Sequence, residues 1–441
     1  MHRANLLSRE GYRAVVVVAA AFLLTTIALS GILPIWLDEI IQLRETRNTT
    51  PTQLIASLPH QPGSAPLGYL LQQTSLRITG YSARWARFPS ALSLTATVLV
   101  VCLFAAELGL TRPWLAGTVF ALFPITIRYA CESRVYSQAL FFSAFATLLF
   151  VRLAKNPTWL NATAYCLALM AAVYTQPYAI FIAAAHITWA IVCTDRKAAT
   201  RAILAVALAA AAFLPWYLWT RSAWSSGVTG ANLHFILTAK TPLMLFRELA
   251  GAGYWGSGLL LILCALAARN KSRNQILLAL LIGVPIILAL AADATFGYFI
   301  ATRQILWVLP AVAILAAMGI ERTPRFSLPL AILLSALCIW QTGHYFSAPH
   351  EDWELAANAL SAEVQQGACL IVVPPEQQYS YEFFQPGLAN SRCPANRVVL
   401  AITPYAASAQ RETALAALTS QGYIRQSVTE AGKSGIVILS R

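Results

Sequence analysis

Charged side chains are scarce in this sequence. Asp, Glu, Lys and Arg make up 11% of its 441 residues, where a soluble domain carries roughly 25%. That excludes an ordinary soluble protein. Acidic residues are the rarer sign, 18 against 31 Lys and Arg, which leaves a net charge of +13. A basic chain can bind nucleic acid, but these cations fall between apolar runs rather than on one basic face, so no nucleic-acid partner is expected. Metal-binding cysteine spacing is missing: no C-x-x-C occurs, and no metal ligands are assigned. No G-x-G-x-x-G follows a strand, so a nucleotide-sugar Rossmann domain has no support. Gly432-Lys433-Ser434 looks like the end of a phosphate-binding loop, but Ser427 stands where that motif needs Gly. No apolar run carries the repeated arginines of a voltage sensor.

Long apolar runs are what the chain does have. Hydrophobic residues make up 58% of it. A spanning helix needs roughly 20 mostly apolar residues. Runs of that kind lie near 12–33, 86–106, 114–130, 135–153, 158–174, 177–194, 202–219, 255–268, 274–292, 304–320 and 327–345. They predict a polytopic α-helical membrane protein with about 11 transmembrane helices. The first run is too long for a signal peptide and lacks its small-residue cleavage site. A transmembrane body over 1–345 is then followed by a small domain over 346–441.

Basic residues set the orientation of such a chain. Arg3, Arg9, Arg13, Arg112, Arg152, Lys155, Arg196, Lys197, Arg201, Arg269, Lys271, Arg273, Arg322 and Arg325 fall on one side of the alternating spans. The opposite short loops hold few, Arg128, Arg134 and Arg303 among them. This predicts a cytoplasmic N-terminus and, with an odd span count, an extracytoplasmic C-terminus. Segments 34–85, 220–253 and 346–441 then lie outside. Within the first, Leu67, Leu70, Leu71, Thr74 and Ile78 share one helical face, which suits a helix lying in the membrane interface.

The tail reads as a small α/β unit. Helices are expected over 352–364 and 407–418, and strands over 369–373, 398–402 and 435–439. Cys369 and Cys393 are the only cysteines in it, and a disulfide between them is expected in an oxidising compartment. Cys102, Cys166, Cys193, Cys264 and Cys338 lie in apolar runs and read as packing residues, as does Cys131 at a helix end.

Ionisable residues near spans are costly and therefore informative. Asp38 and Glu39 follow the first span. Glu132 and Arg134 sit in the short turn Arg128-Tyr129-Ala130-Cys131-Glu132-Ser133-Arg134-Val135-Tyr136, and Arg303 heads a later span. Each alone reads more readily as an ordinary helix-end anchor. Together on one face, they suit an anionic lipid headgroup and a hydroxyl nucleophile.

These residues fall in motifs that resemble a known family. The acidic pair after the first span is similar to the Asp-Glu motif of the protein O-mannosyltransferases and the lipid A aminoarabinose transferases, membrane glycosyltransferases of the GT-C class. Pro66-Leu67-Gly68-Tyr69-Leu70-Leu71, Arg84-Trp85-Ala86-Arg87-Phe88-Pro89-Ser90-Ala91-Leu92, the Tyr129–Tyr136 turn, Arg303 with Pro310, and Glu351-Asp352-Trp353 resemble further motifs of that family, in order along most of the chain. One departure is Ser64-Ala65-Pro66, where the family often has His or Lys before two prolines; His60 is the candidate replacement as a donor-phosphate contact.

The resemblance implies inverting transfer of a sugar from a polyprenyl-phosphate donor to an acceptor hydroxyl on a glycan, lipid or protein. The active site would be periplasmic, in the inner (plasma) membrane of a bacterium and at work on the cell envelope. Asp38, Glu39 and Glu132 are the candidate catalytic residues, with Asp38 first as general base. Arg134, Arg303 and His60 are the candidates for the donor phosphate. Three roles stay open for Glu132: orienting the acceptor, holding a divalent cation, which is the candidate cofactor, or fixing Arg134. Membrane lipids surround the body. Two other readings stand beside this one. A lipid or saccharide transporter, or flippase, would place its charges at the bilayer midplane. A membrane-anchored envelope assembly protein would not need so many spans.

Overall fold

A computed structural model describes residues 9–47, 49–60, 64–226, 241–269, 272–296, 302–388, 393 and 396–441. The middle of the expected outer segment 220–253 lies outside the described residues, as do Arg3 and Lys271. The chain divides into two compact units. One runs through Ser30 and resumes over Thr49–Phe346; the other joins Gly31–Asn48 to Ser347–Arg441.

The first unit is a helical bundle, and every expected apolar run coincides with helix. Among the described residues, seven helices are long and apolar enough to cross a membrane, or eight if the bent pair Leu243–Ala250 and Gly253–Ala268 is one span. Pro113–Leu122, Trp159–Thr175 and Pro177–Cys193 are apolar but shorter. Length and composition thus give fewer spans than about 11. The chain is an integral membrane protein. Thr302–Glu321 and Tyr136–Lys155 are 78% and 72% buried over their apolar windows, whereas Arg196–Ser222 and Ser327–Ser347 are 22% and 17%. The first pair forms the bundle centre, and the second turns apolar side chains outward, as lipid-facing helices must.

Local sequence explains the breaks. The expected run 114–130 is two helices, Pro113–Leu122 and Pro124–Ala130. Phe123 adopts φ −57°, ψ 124°, because a residue before proline is driven out of the helical region. The 95° bend between Ala250 and Gly253 passes through Gly251 and Gly253, at φ 61° and 65°. Helix Pro66–Thr79 realises the expected 67–78. It buries Gly68, Tyr69, Gln72, Gln73 and Leu76 against the bundle, while Leu71 and Ile78 stay exposed. Gln72 donates to the Ala86 carbonyl at 2.7 Å. Leu71 and Ile78 belong to the apolar face expected from the sequence.

Two motif residues in the helix Ala83–Glu107 act as braces. Arg87 is buried and donates from Nη1 to the Ser30 carbonyl at 2.7 Å, closing the end of the first span. Ser90 Oγ donates to the Arg134 carbonyl at 3.3 Å.

The second unit carries a four-stranded sheet of β1 (Cys369–Val373), β2 (Arg397–Ile402), β3 (Ile424–Ala431) and β4 (Ser434–Ser440), in the order β1-β2-β4-β3. β1 and β2 are parallel, with Cys369 opposite Val398; β4 runs antiparallel to both β2 and β3. β3 was not expected. It is an edge strand exposed along most of its length, so its sequence lacks the apolar signature of its partners. Helices Trp353–Gln365 and Ser408–Ser420 match the two expected ones. Cys369 and Cys393 form the expected disulfide, with Cα atoms 5.2 Å apart. Helix Leu37–Arg47 belongs to this unit: Arg44 lies over the Tyr379 ring at 4.5 Å and Arg47 over Phe383 at 5.4 Å.

Candidate active site

The turn 131–135 between helices Pro124–Ala130 and Tyr136–Lys155 carries Glu132 and Arg134. Its shape is fixed by Ser137 Oγ, which donates to the Tyr129 carbonyl at 2.7 Å, and by the Ser90 contact with Arg134. Arg128 and Glu132 are one helical turn apart, and Arg128 Nε pairs with Glu132 Oε1 at 2.9 Å. Glu132 is buried, so the charge-assisted pair aligns the guanidinium. That guanidinium lies over the rings of Tyr129 and Tyr345, at 5.5 and 5.2 Å.

The other two arginines meet on one ring. Arg134 lies over Tyr136 at 5.4 Å, and its Nη2 donates to the Tyr136 hydroxyl at 3.3 Å. Arg303, from the 3-10 turn Thr302–Val308, lies over the same ring at 5.7 Å. Tyr129 and Tyr136 pack edge to face at 5.9 Å. Three guanidiniums and three tyrosines therefore form one continuous ladder.

A cavity of about 340 Å³ opens against this ladder. It is lined by Pro124, Ile125, Arg128, Tyr129, Glu248, Gly251, Thr302, Arg303, Gln341 and Tyr345. The Thr302 hydroxyl donates to the Glu248 carboxylate. Guanidiniums held against aromatic rings present planar donor pairs suited to phosphate oxygens. Of the residues expected from sequence, Arg303 lines the cavity, Glu132 touches it through Arg128, and Arg134 joins through Tyr136. His60 is exposed at the end of the turn Leu58–His60 and is not part of the lining. Arg128, Glu248, Thr302, Gln341 and Tyr345 were not expected. The four-residue spacing of Arg128 to Glu132, and of Gln341 to Tyr345, is the signal that was available.

The acidic pair belongs to the second unit. Helix Leu37–Arg47 starts with no side-chain acceptor at Trp36, so its first amides need other partners. Glu39 supplies one: it is fully buried, and its Oε2 accepts from the Trp36 amide at 3.4 Å. Asp38 is half-buried in the first turn. Burial raises the pKa of the Tyr379 hydroxyl; the Asp38 carboxylate adds to that rise and Arg44 opposes it. Among the described residues, no three His, Cys, Asp or Glu side chains gather as a metal site.

Neither a family model nor a curated protein sequence matches the chain. Solved structures do. ArnT from Cupriavidus metallidurans, in the apo state, superposes with a TM-score of 0.63 at 13% identity, covering 96% of this chain and 97% of its own. The chain shares the fold of ArnT. The same enzyme bound to undecaprenyl phosphate gives 0.62 at 13% identity, covering 98% of both chains. The Archaeoglobus fulgidus oligosaccharyltransferase, in complex with Zn and sulfate, gives 0.52 at 13% identity, over 87% of this chain and 67% of its own. ArnT is a lipid A aminoarabinose transferase and, like the oligosaccharyltransferase, a GT-C glycosyltransferase. The fold expected from the motifs at 38–39, 66–71, 84–92, 129–136 and 303–310 is therefore the fold that this chain adopts.

Proposed function

We propose that the protein is a membrane glycosyltransferase that moves a sugar from a polyprenyl-phosphate donor to an acceptor hydroxyl, with inversion at the anomeric carbon. The observation that carries this reading is the arginine–tyrosine ladder against a cavity, in a chain with the ArnT fold. That ArnT has been captured with undecaprenyl phosphate supports the choice of donor.

In the proposed reaction the acceptor oxygen attacks the anomeric carbon from the face opposite the phosphate. Asp38 takes the acceptor proton as general base. Glu39 is engaged at the Trp36 amide and holds the turn that carries Asp38. The bond from the anomeric carbon to the phosphate oxygen breaks, and its electron pair leaves with the phosphate. A diester becomes a monoester and gains negative charge. Arg128, Arg134 and Arg303 offset that charge, which stabilises the transition state more than the bound donor. Glu132 aligns Arg128 rather than touching the donor. His60 lies outside this proposed donor site. The N-terminus is proposed to be cytoplasmic and the reaction extracytoplasmic, because the basic loops of the body cluster on one side.

Mass spectrometry of envelope lipids and glycans tests this directly. A strain lacking the protein should lose one sugar from an envelope molecule, and the wild-type gene should restore it, while Arg303→Ala should not. An unchanged envelope, with no accumulated polyprenyl-phosphate sugar, would count against a transferase.

A further inference from the structure

Glu351 lies outside the reaction just described, yet its carboxylate accepts three hydrogen bonds. Oε2 accepts from the indole Nε1 of Trp353 at 2.8 Å and from the backbone amide of Leu37 at 3.4 Å. Oε1 accepts from the Tyr405 hydroxyl. These donors come from three separate places in the chain. Trp353 is a buried anchor of the tail, packed on Tyr381 at 5.0 Å between ring centroids. Tyr405 follows β2. Leu37 is the first residue of helix Leu37–Arg47, and Asp38 is the second.

The first amides of a helix have no partner within it and fray unless something accepts from them. Here two carboxylates share the task. Glu39 accepts from Trp36, and Glu351 accepts from Leu37, so the residues on both sides of Asp38 are tied down. Glu351 links this turn to the tail through a hydrogen bond at the helix start, and Trp353 and Tyr405 hold its own orientation. Its backbone is fixed as well. The neighbouring Asp352 amide donates to the Gly432 carbonyl at 3.1 Å, and a Cβ on Gly432 would lie 2.0 Å from the Asp352 oxygen. Only glycine permits that approach.

We propose that Glu351 is a positioning residue for the reaction: it acts through the Leu37 amide to hold Asp38 in its reactive orientation. This gives the tail a role in catalysis as a scaffold for the acidic turn, and it rests on the reading of Asp38 as the base. Misplacing a reacting group by about 1 Å can cost on the order of 100-fold in rate. Loss of the Glu351 carboxylate is therefore expected to lower kcat by roughly 10- to 100-fold, with little change in donor KM.

The test uses full-length protein in lipid nanodiscs and two readouts. The first is hydrogen–deuterium exchange of the peptide covering 35–43. Glu351→Ala should speed its exchange while peptides covering β2 and β4 stay protected. Glu351→Gln matches the shape, keeps one oxygen for Leu37 and Trp353, and can donate from its amide to Tyr405. It should keep both the protection and most of the rate. The second readout is the split between kcat and KM, measured beside Asp38→Asn. Should Glu351→Ala unfold the tail, Tyr405→Phe removes a single donor at a partly exposed site and should lower kcat about threefold without changing KM. Unchanged exchange in 35–43, or a loss confined to KM, would overturn the inference. Asp38→Asn inactive with Glu351→Ala at the wild-type rate would overturn it alone. Asp38→Asn at the wild-type rate would remove the base assignment first, and the inference with it.

Discussion

Arg134 lies in the turn 131–135 and Arg303 in the 3-10 turn Thr302–Val308, yet both stand over the ring of Tyr136, at 5.4 and 5.7 Å. Two like charges beside one ring repel each other. The ring offsets part of that repulsion, because its negative face attracts each cation. The ring thus helps to hold the pair in place.

Tyr136 separates these contributions. Tyr136→Phe keeps the ring under both arginines and loses only the hydrogen bond from Arg134. Tyr136→Leu removes the ring. A cation–π contact is worth roughly 0.5–2 kcal/mol, so Tyr136→Leu should raise donor KM by about tenfold, and Tyr136→Phe by much less. Equal effects would show that the hydroxyl, not the ring, organises the site.

Charge alone should not replace geometry. Arg303→Lys keeps the cation but loses the planar pair of donors. Its rate should fall well below that of wild type at saturating donor, and Arg134→Lys should behave alike. Unchanged rate and donor affinity in both would mean that these side chains only anchor helix ends.

The Cys369–Cys393 bridge closes a loop with a sequence separation of 24. Closing a loop of this size stabilises by roughly 3 kcal/mol in the chain-entropy model. The double variant Cys369→Ser, Cys393→Ser should melt its tail at a lower temperature, with the bundle unaffected. Maleimide labelling of either cysteine in unreduced protein would contradict the bond.

Tyr381 gives the tail a pH dependence. Its hydroxyl is buried and donates to Ser434 Oγ at 3.0 Å; burial pushes its pKa up to about 12, against that hydrogen bond. The unfolded tyrosine loses its proton near pH 10. Tail stability is therefore full below pH 10 and declines between pH 10 and 12, by on the order of 2–3 kcal/mol. Thermal melts of the wild type and Tyr381→Phe should diverge in slope across that window. Parallel slopes would show that Tyr381 ionises as freely when folded as when unfolded.

Much of this was legible in the sequence, for physical reasons. Apolar runs and loop charge read as helices because the bilayer imposes length and polarity on each span. Strands β1, β2 and β4 announce themselves as apolar runs because they are the buried ones. β3 does not, since an exposed edge carries polar residues such as Arg425, Gln426 and Glu430. Arg303 and Glu132 could be named as candidates because charge near a span is rare, and Arg303 lines the cavity while Glu132 pairs with Arg128 beside it. Arg128 reads as one more helix-end cation until its pairing with Glu132 and its stacking on Tyr345 are seen. The hold of Glu351 on Leu37 joins residues 314 positions apart, and no local pattern signals such a contact.

The most direct test of the central claim is release of polyprenyl phosphate by purified protein supplied with a polyprenyl-phosphate sugar and envelope acceptor. General-base catalysis contributes roughly 10²–10⁴-fold. Wild-type protein should release the lipid phosphate with sugar transferred to the acceptor, and Asp38→Asn, folded and inserted, should be slower by a factor in that range. Release at equal rates by wild type and Asp38→Asn would contradict the account.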